Sequence, residues 1–188
     1  MKFLYYYIHN YLSSKQIKKL NKTLIKGEPF YTKADTIKTS TAFYNPYRSV
    51  RHLTPDLEDT AFYVNREAFG FNIDPFLNNN NFIINIYDAK NQGEYEMHTD
   101  AESFDRNYTI KLTLLLNLSE QKYEGGEFSL FDNSKLQVVK EFNEPGTLLM
   151  FPSYVPHKVS PVTKGQRISG TFFITGPWWK KTPDFTDP

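Results

Sequence analysis

The sequence predicts a mainly β protein, a sandwich or barrel of short strands with helical support at its N-terminal end. Three observations lead there. Beyond Asn81 the chain is a succession of short apolar and β-branched runs separated by turn-forming residues, the texture of an all-β sandwich or barrel. Helical periodicity is confined to the residues before it. Finally, 188 residues with 39% hydrophobic and 16% aromatic content suffice for one full core but would leave two halves marginal. A single domain over 1–188 is therefore expected, with 1–80 as helical support and flanking strands and 81–179 as the β core.

Taken in order, 3–8 reads as a first strand. Ser13 or Ser14 can cap a helix whose Ile17, Leu20 and Leu24 share one face ahead of Gly27, its lysines forming a solvated face. Thr54, Pro55, Asp56 and Glu58 start a second helix, which Leu57, Ala61, Val64 and Ala68 continue as far as Gly70. The strands expected after it cover 82–87, 95–100, 109–118, 127–131, 136–139, 147–151, 157–159 and 167–174. Turn chemistry at Asn91-Gln92-Gly93, Gly125-Gly126, Asp132-Asn133, Pro145-Gly146 and Lys164-Gly165 separates them, and 183–188 reads as a frayed tail.

Composition excludes several function classes. A net charge of +1 gives no basic footprint for a phosphate backbone, so no nucleic-acid partner is expected. The absence of cysteine removes disulfides, thiolate zinc sites and cysteine nucleophiles. No run approaches the roughly 18 apolar residues of a membrane helix. The N-terminal apolar stretch, broken by His9 and Asn10, is too short for a signal core and lacks a small-residue cleavage site. No membrane association and a cytoplasmic location are the expectation.

Function turns on Tyr95-Glu96-Met97-His98-Thr99-Asp100. Alternate residues of a strand share a face, so His98 and Asp100 are expected to project together, about 6 to 7 Å apart along the backbone. With a second imidazole from elsewhere they make the two-histidine, one-carboxylate set that holds non-haem Fe(II) and leaves positions open on its other side. His9 lies in an aromatic stretch and His52 just ahead of a helix, and both read as ordinary surface or packing residues. His157 instead follows Gly146-Thr147-Leu148-Leu149-Met150-Phe151-Pro152-Ser153, a strand ending in a proline turn that delivers it to the barrel mouth. It is the expected third ligand.

The strand after His157 suggests what fills the open positions. Arg167, Ser169, Thr171 and Phe173 share one face, and Ile168, Gly170, Phe172 and Ile174 the other. Guanidinium pairs bidentately with a carboxylate and keeps its charge. An arginine near such an iron points to a cosubstrate that chelates the metal at one end and carries a carboxylate at the other. 2-Oxoglutarate is such a molecule: its 2-oxo acid would take two metal positions, Arg167 and Ser169 its distal carboxylate, and O2 the position that remains.

Tyr87, Gly93-Glu94-Tyr95-Glu96-Met97-His98-Thr99-Asp100, Tyr123-Glu124-Gly125-Gly126-Glu127-Phe128, Phe151-Pro152-Ser153 ahead of His157, and Val159 through Ser169 occur together in this order. From about Asn81 to Trp178 that pattern resembles the Fe(II)- and 2-oxoglutarate-dependent dioxygenases, specifically the prolyl 4-hydroxylase-like branch. The resemblance implies a double-stranded β-helix (jelly roll, cupin-like), Fe(II) on His98, Asp100 and His157, and the cosubstrate's distal carboxylate on Arg167. It also implies a hydrogen bond from Tyr87 to the cosubstrate, and a reaction that converts 2-oxoglutarate and O2 to succinate and carbon dioxide while hydroxylating an unactivated C–H bond. Ascorbate is a further candidate cofactor.

Phe173 stands where many relatives carry tryptophan or another bulky residue, and it is expected to wall the iron pocket. Nucleic-acid demethylases of the superfamily carry a second arginine there, so its absence argues against base repair. Tyr95 reads as pocket wall or core. The Gly125-Gly126-Glu127 turn reads as structural, its glycines permitting positive φ and its glutamate tying the turn.

The resemblance favours a prolyl residue of a peptide or protein as substrate, while a free amino acid or another small molecule is compatible with the same residues. The polar segment 102–108 reads as a loop over the substrate. Two readings come from other classes. A non-enzymatic jelly-roll metal-binding module would not need His98, Asp100, His157 and Arg167 together. A zinc hydrolase would want a nearby general base and has no use for Arg167.

Overall fold

The computed structural model describes residues 3–32, 37–101, 108–132 and 134–178. The substrate-covering loop expected after Asp100 and the frayed tail lie outside them, apart from Tyr108.

The N-terminal segment contains β1 (Tyr6–Ile8) and α1 (Ser14–Leu24). Ser13 is the cap: its hydroxyl accepts the Gln16 N–H, and the Gln16 side chain accepts the Ser13 N–H at 2.9 Å. Ile17, Leu20 and Leu24 are buried, and the lysines of α1 face outward as expected. There follow β2 (Phe30–Thr32), β3 (Lys38–Pro46), α2 (Tyr47–Val50) and α3 (Leu57–Val64). The last of these runs on through a π turn, Asn65–Phe69, and stops at Gly70 in the left-handed region at φ 72°. Asp56 stands at the cap position of α3 without a side-chain cap hydrogen bond. Glu58 instead accepts the Phe76 N–H at 2.8 Å, tying α3 to the chain that leads into the sheet.

The remaining strands are β4 (Asn81–Asp88), β5 (Glu94–His98), β6 (Tyr108–Asn117), β7 (Glu124–Gly125), β8 (Phe128–Asp132), β9 (Lys135–Val138), β10 (Leu148–Pro152), β11 (His157–Val159), β12 (Val162–Lys164) and β13 (Gln166–Pro177). Among the described residues one antiparallel sheet runs β1-β10-β6-β13-β4-β3-β5-β11-β8-β9, with β2 also on β3. β3 is the corner. Its later residues pair with β4 and its first two with β5, so the sheet folds over into two facing layers, the jelly-roll form of the double-stranded β-helix.

Alternation along the strands places the cores. Phe82 and Ile84 of β4 and Phe172 and Ile174 of β13 face the helices and pack with Leu20, Leu57 and Val64. Their alternate neighbours, Ile83, Asn85 and Tyr87 on β4 and Arg167, Ser169, Thr171 and Phe173 on β13, face the space between the layers. Phe128, Leu130, Phe142, Leu149 and Phe151 form a second apolar cluster against that interior, and Phe142 closes the end beside Arg167. Gly170 sits where the ring of Phe82 crosses β13, and an added methyl would run into that ring. Gly170→Ala is accordingly expected to cost about 2 kcal/mol, read as a lower urea midpoint at unchanged slope.

Candidate active site

Three side chains converge at the open end of the β-helix. His98 and His157 are direct cross-strand partners on β5 and β11, so both imidazoles leave the same face. Asp100 corrects the sequence reading in one respect: β5 ends at His98, and Asp100 lies beyond it rather than one pleat further along. Its position comes instead from its own N–H, which donates to Ser153 O at 2.8 Å. Ser153 is anchored in turn, its N–H on Lys111 O at 3.0 Å and its hydroxyl on Ile110 O. The Phe151-Pro152-Ser153 run thereby fixes the aspartate as well as the approach to His157.

Both rings are locked in one tautomer. His98 Nδ1 lies 2.7 Å from Glu96 O and His157 Nδ1 2.9 Å from Val155 O. A carbonyl only accepts, so each Nδ1 carries the proton and each Nε2 presents its lone pair inward when the ring is neutral. Those Nε2 atoms stand 3.5 and 3.2 Å from the two Asp100 oxygens, and the three donor groups lie within 4.8 Å of one another. Two ligand atoms about 2.1 Å from one ion and at right angles are about 3 Å apart, so the set fits a divalent cation of the size of iron or zinc. An imidazole binds an ion only through an unprotonated nitrogen. Metal loading therefore competes with protons and weakens toward acid pH.

Further contacts fix the set. Tyr95 stacks on His98 with ring centroids 3.4 Å apart, and Phe151 meets His157 edge-on at 4.8 Å. Burial alone would raise the Asp100 pKa, but the facing His157 and His98 side chains and the Thr113 hydroxyl outweigh it and hold the carboxyl well below its usual range. Thr113 Oγ1 donates to Asp100 Oδ2 at 2.7 Å. Thr113→Val is expected to weaken metal affinity about tenfold with little loss of fold, measured by metal titration beside urea unfolding.

Arg167 lies deeper in the same cavity, which has a volume of about 210 Å³. It is 2% exposed, and among the described residues no carboxylate pairs with it. Its Nη1 donates to Ser169 Oγ at 3.3 Å, and its guanidinium sits 5.2 Å from the centroid of Tyr87, its cross-strand partner. Burial raises the Tyr87 pKa, with Arg167 pulling against it, so the phenol stays protonated at neutral pH. The glycine turn belongs to this part of the site. A methyl on Gly126, at φ 63°, would press on the Val162 side chain and the Arg167 stem. The expected tie by Glu127 is made by its backbone: the N–H donates to Ser160 Oγ at 2.9 Å, while the side chain is exposed.

Every expected site residue therefore lines one cavity: His98, Asp100 and His157 together, with Tyr87, Arg167 and Ser169 further in. Phe173 and Tyr95 wall it. His9 contacts Thr147 at 3.2 Å and His52 is exposed, both away from the triad as expected. Thr113, Lys38 and Asn85 were not anticipated. For Thr113 the signal existed, since strand alternation sets Thr113 and Leu115 opposite Leu112, Leu114 and Leu116, and a hydroxyl on the interior face asks for a partner.

Residues 82–175, half of the chain, match the 2OG-Fe(II) oxygenase superfamily. The chain belongs to that family. Curated relatives of this chain include a PKHD-type hydroxylase of Pseudoalteromonas atlantica, 35% identical over 86 residues, which are 43% of this chain and 37% of the relative. A PKHD-type hydroxylase of Xanthomonas campestris pv. campestris is 28% identical over 140 residues, 74% of this chain and 51% of the relative. The chain thus matches about half or less of the length of these relatives. Among solved structures, a Pseudomonas putida prolyl-4-hydroxylase superposes with a TM-score of 0.70 at 18% identity, covering 92% of each chain. A viral collagen prolyl hydroxylase from Paramecium Bursaria Chlorella virus-1 gives 0.67 at 16% identity, covering 93% of this chain and 97% of that one. Likeness at such identities bears on the fold. Among the described residues, no helix is long and apolar enough to cross a membrane.

Proposed function

We propose that His98, Asp100 and His157 hold Fe(II), that Arg167 with Ser169 and Tyr87 holds the distal carboxylate of 2-oxoglutarate, and that the oxygenase hydroxylates a prolyl residue of a peptide or protein. The observation that carries the reading is the buried guanidinium of Arg167, without a carboxylate partner among the described residues and in one cavity with the triad. An isolated charge in an apolar interior is costly, and a carboxylate-bearing ligand that reaches the metal offsets it.

When bound, the iron and cosubstrate supply oxidising power for C–H hydroxylation, with O2 consumed and succinate and carbon dioxide released. The chain's own groups position and exclude. Ser169 accepts from the guanidinium and sets its plane, leaving the rest of the fork for a carboxylate. Tyr87, protonated, can donate to the same ligand. Leu115, Phe128 and Phe173 line the cavity with apolar surface and keep bulk water from the reacting atoms. Asp100 lowers the charge of the metal site, and the carbonyl-held tautomers keep both Nε2 atoms directed at it.

The prolyl assignment is supported by the prolyl-4-hydroxylase and PKHD-type hydroxylase names of the similar proteins. O2 is the expected oxidant and ascorbate a candidate for keeping the iron reduced. The cytoplasm, where 2-oxoglutarate and reduced iron are both at hand, is the proposed setting. The test is to incubate Fe(II)-loaded protein with 2-oxoglutarate and a panel of prolyl peptides, following succinate and the peptide mass. One oxygen atom added at proline in step with succinate is expected. Succinate release with every peptide unmodified would move the substrate to another class.

A further inference from the structure

The cavity holds a second cation for which the proposed cosubstrate has no use. Lys38 begins β3 at the corner where that strand leaves β4, pairing across to Tyr95 of β5, and its side chain lines the metal pocket. The ammonium donates to Asn85 Oδ1 at 2.7 Å, and Asn85 Nδ2 donates to Thr171 Oγ1 at 3.2 Å. It also lies 4.9 Å from the centroid of the Tyr95 ring, which stacks on His98. The charge is thus carried on a row of side chains that joins β3, β4 and β13 beside a metal-binding imidazole. Asn85 and Thr171 are buried, so the row is part of the wall and not a surface contact.

This row is distinct from the Arg167 position. Arg167 pairs across strands with Tyr87, whereas Asn85 pairs with Ser169 and Thr171 with Ile83, which places the row a pleat closer to the mouth. Beyond it the cavity opens along Tyr44, Ile83 and Phe173 onto a groove edged by Asn79–Asn81, and Tyr44 is 54% exposed. A diacid reaching from the triad to Arg167 runs the other way, toward the closed end. What enters from the mouth meets Lys38.

We propose that Lys38 is a specificity-determining residue whose ammonium receives a carboxylate of the primary substrate, carried close to the carbon that reacts. A charged donor is matched better by a carboxylate than by a neutral carbonyl. Burial lowers the Lys38 pKa to about 8, with Asp100 drawing it back up, so the side chain is still mostly charged at neutral pH. The inference rests on the oxygenase reading above and adds the charge of the substrate to it.

The experiment compares Fe(II)-loaded wild type with Lys38→Met and Lys38→Arg. 2-Oxoglutarate affinity is read anaerobically from the visible charge-transfer band. Turnover is then measured on two isosteric prolyl pairs: Ac-Asp-Pro-Gly-NH2 against Ac-Asn-Pro-Gly-NH2, and Ac-Gly-Pro-OH against Ac-Gly-Pro-NH2. Wild type is expected to prefer the acid of at least one pair by about tenfold or more in kcat/KM. In Lys38→Met that preference falls to within about twofold, Lys38→Arg retains part of it, and 2-oxoglutarate affinity stays within about twofold throughout. A wild type indifferent to the acid, or a preference that survives Lys38→Met, would overturn the assignment. So would a tenfold loss of 2-oxoglutarate affinity in Lys38→Met, which would give the lysine to the cosubstrate. A band that forms while none of the four peptides is turned over sinks the carboxylate assignment alone. A band that never forms sinks the oxygenase reading and this inference together.

Discussion

Arg167→Met is expected to weaken 2-oxoglutarate binding by about two orders of magnitude while leaving Fe(II) binding in place. The guanidinium is nearly inaccessible, and Ser169 and the Tyr87 ring hold it against the end of the cavity away from the triad. Truncating one partner of a buried, hydrogen-bonded charge pair costs about 2–5 kcal/mol, and about 3 kcal/mol corresponds to roughly a hundredfold. The same change has a second consequence that separates this site from an ordinary structural arginine. In protein to which no cosubstrate has been added, methionine replaces a buried cation that has no carboxylate partner among the described residues by an apolar chain of similar length. The variant is therefore expected to unfold at equal or higher urea, by up to about 2 kcal/mol. Isothermal titration and urea melts on one preparation read both effects. Lower stability together with unchanged 2-oxoglutarate affinity would make Arg167 a scaffold residue. Arg167→Lys, which keeps the charge and loses the planar fork, is expected to fall between, about tenfold weaker than wild type.

Asp100→Ala is expected to reduce turnover by about a thousandfold or more through loss of the metal, with the fold retained. His98 and His157 are oriented by Glu96 O and Val155 O and held by Tyr95 and Phe151, not by Asp100, so both imidazoles stay in place when the carboxylate is removed. What disappears is the anionic ligand that balances the ion. Urea stability of the metal-free variant is expected to stay within about 1 kcal/mol of wild type, because the backbone bond from position 100 to Ser153 O survives the change and the cost of burying the carboxylate is relieved. Metal titration followed by succinate assay measures the loss. Asp100→Asn, which keeps the shape and an oxygen for Thr113, is expected to recover some affinity and little turnover. An Asp100→Ala protein that still binds Fe(II) and releases succinate at the wild-type rate would place the metal elsewhere.

Much of this site is legible in the sequence because its information is local. His98 and Asp100 are close in sequence, and simple alternation put Arg167, Ser169, Thr171 and Phe173 on one face, where all four line the cavity. The Phe151-Pro152-Ser153 turn did bring His157 to the triad, although the cross-strand register that opposes it to His98 is a long-range pairing no local pattern encodes. Strand β3 was missed for a physical reason. Its cavity side is Lys38, Ser40, Ala42 and Tyr44, polar, small or exposed, so it lacks the apolar alternation that marks a half-buried strand, and its neighbours Thr39 and Thr41 blur the pattern further. That omission also hid Lys38, whose place in the pocket exists only because β3 turns the corner between the layers. Asp100 was put on the right face by the wrong route: the strand stops at His98, and the backbone bond to Ser153 O takes over.

The central claim is that one metal on His98, Asp100 and His157 takes 2-oxoglutarate as a chelate anchored at Arg167. Its most direct test is anaerobic titration of the Fe(II)-loaded protein with 2-oxoglutarate, watching for the weak visible metal-to-ligand charge-transfer band of bidentate 2-oxo acid coordination. The account predicts a saturable band in wild type, its midpoint shifted about a hundredfold upward in Arg167→Met and the band gone in Asp100→Ala. Iron demonstrably bound with no band at any 2-oxoglutarate concentration would contradict it.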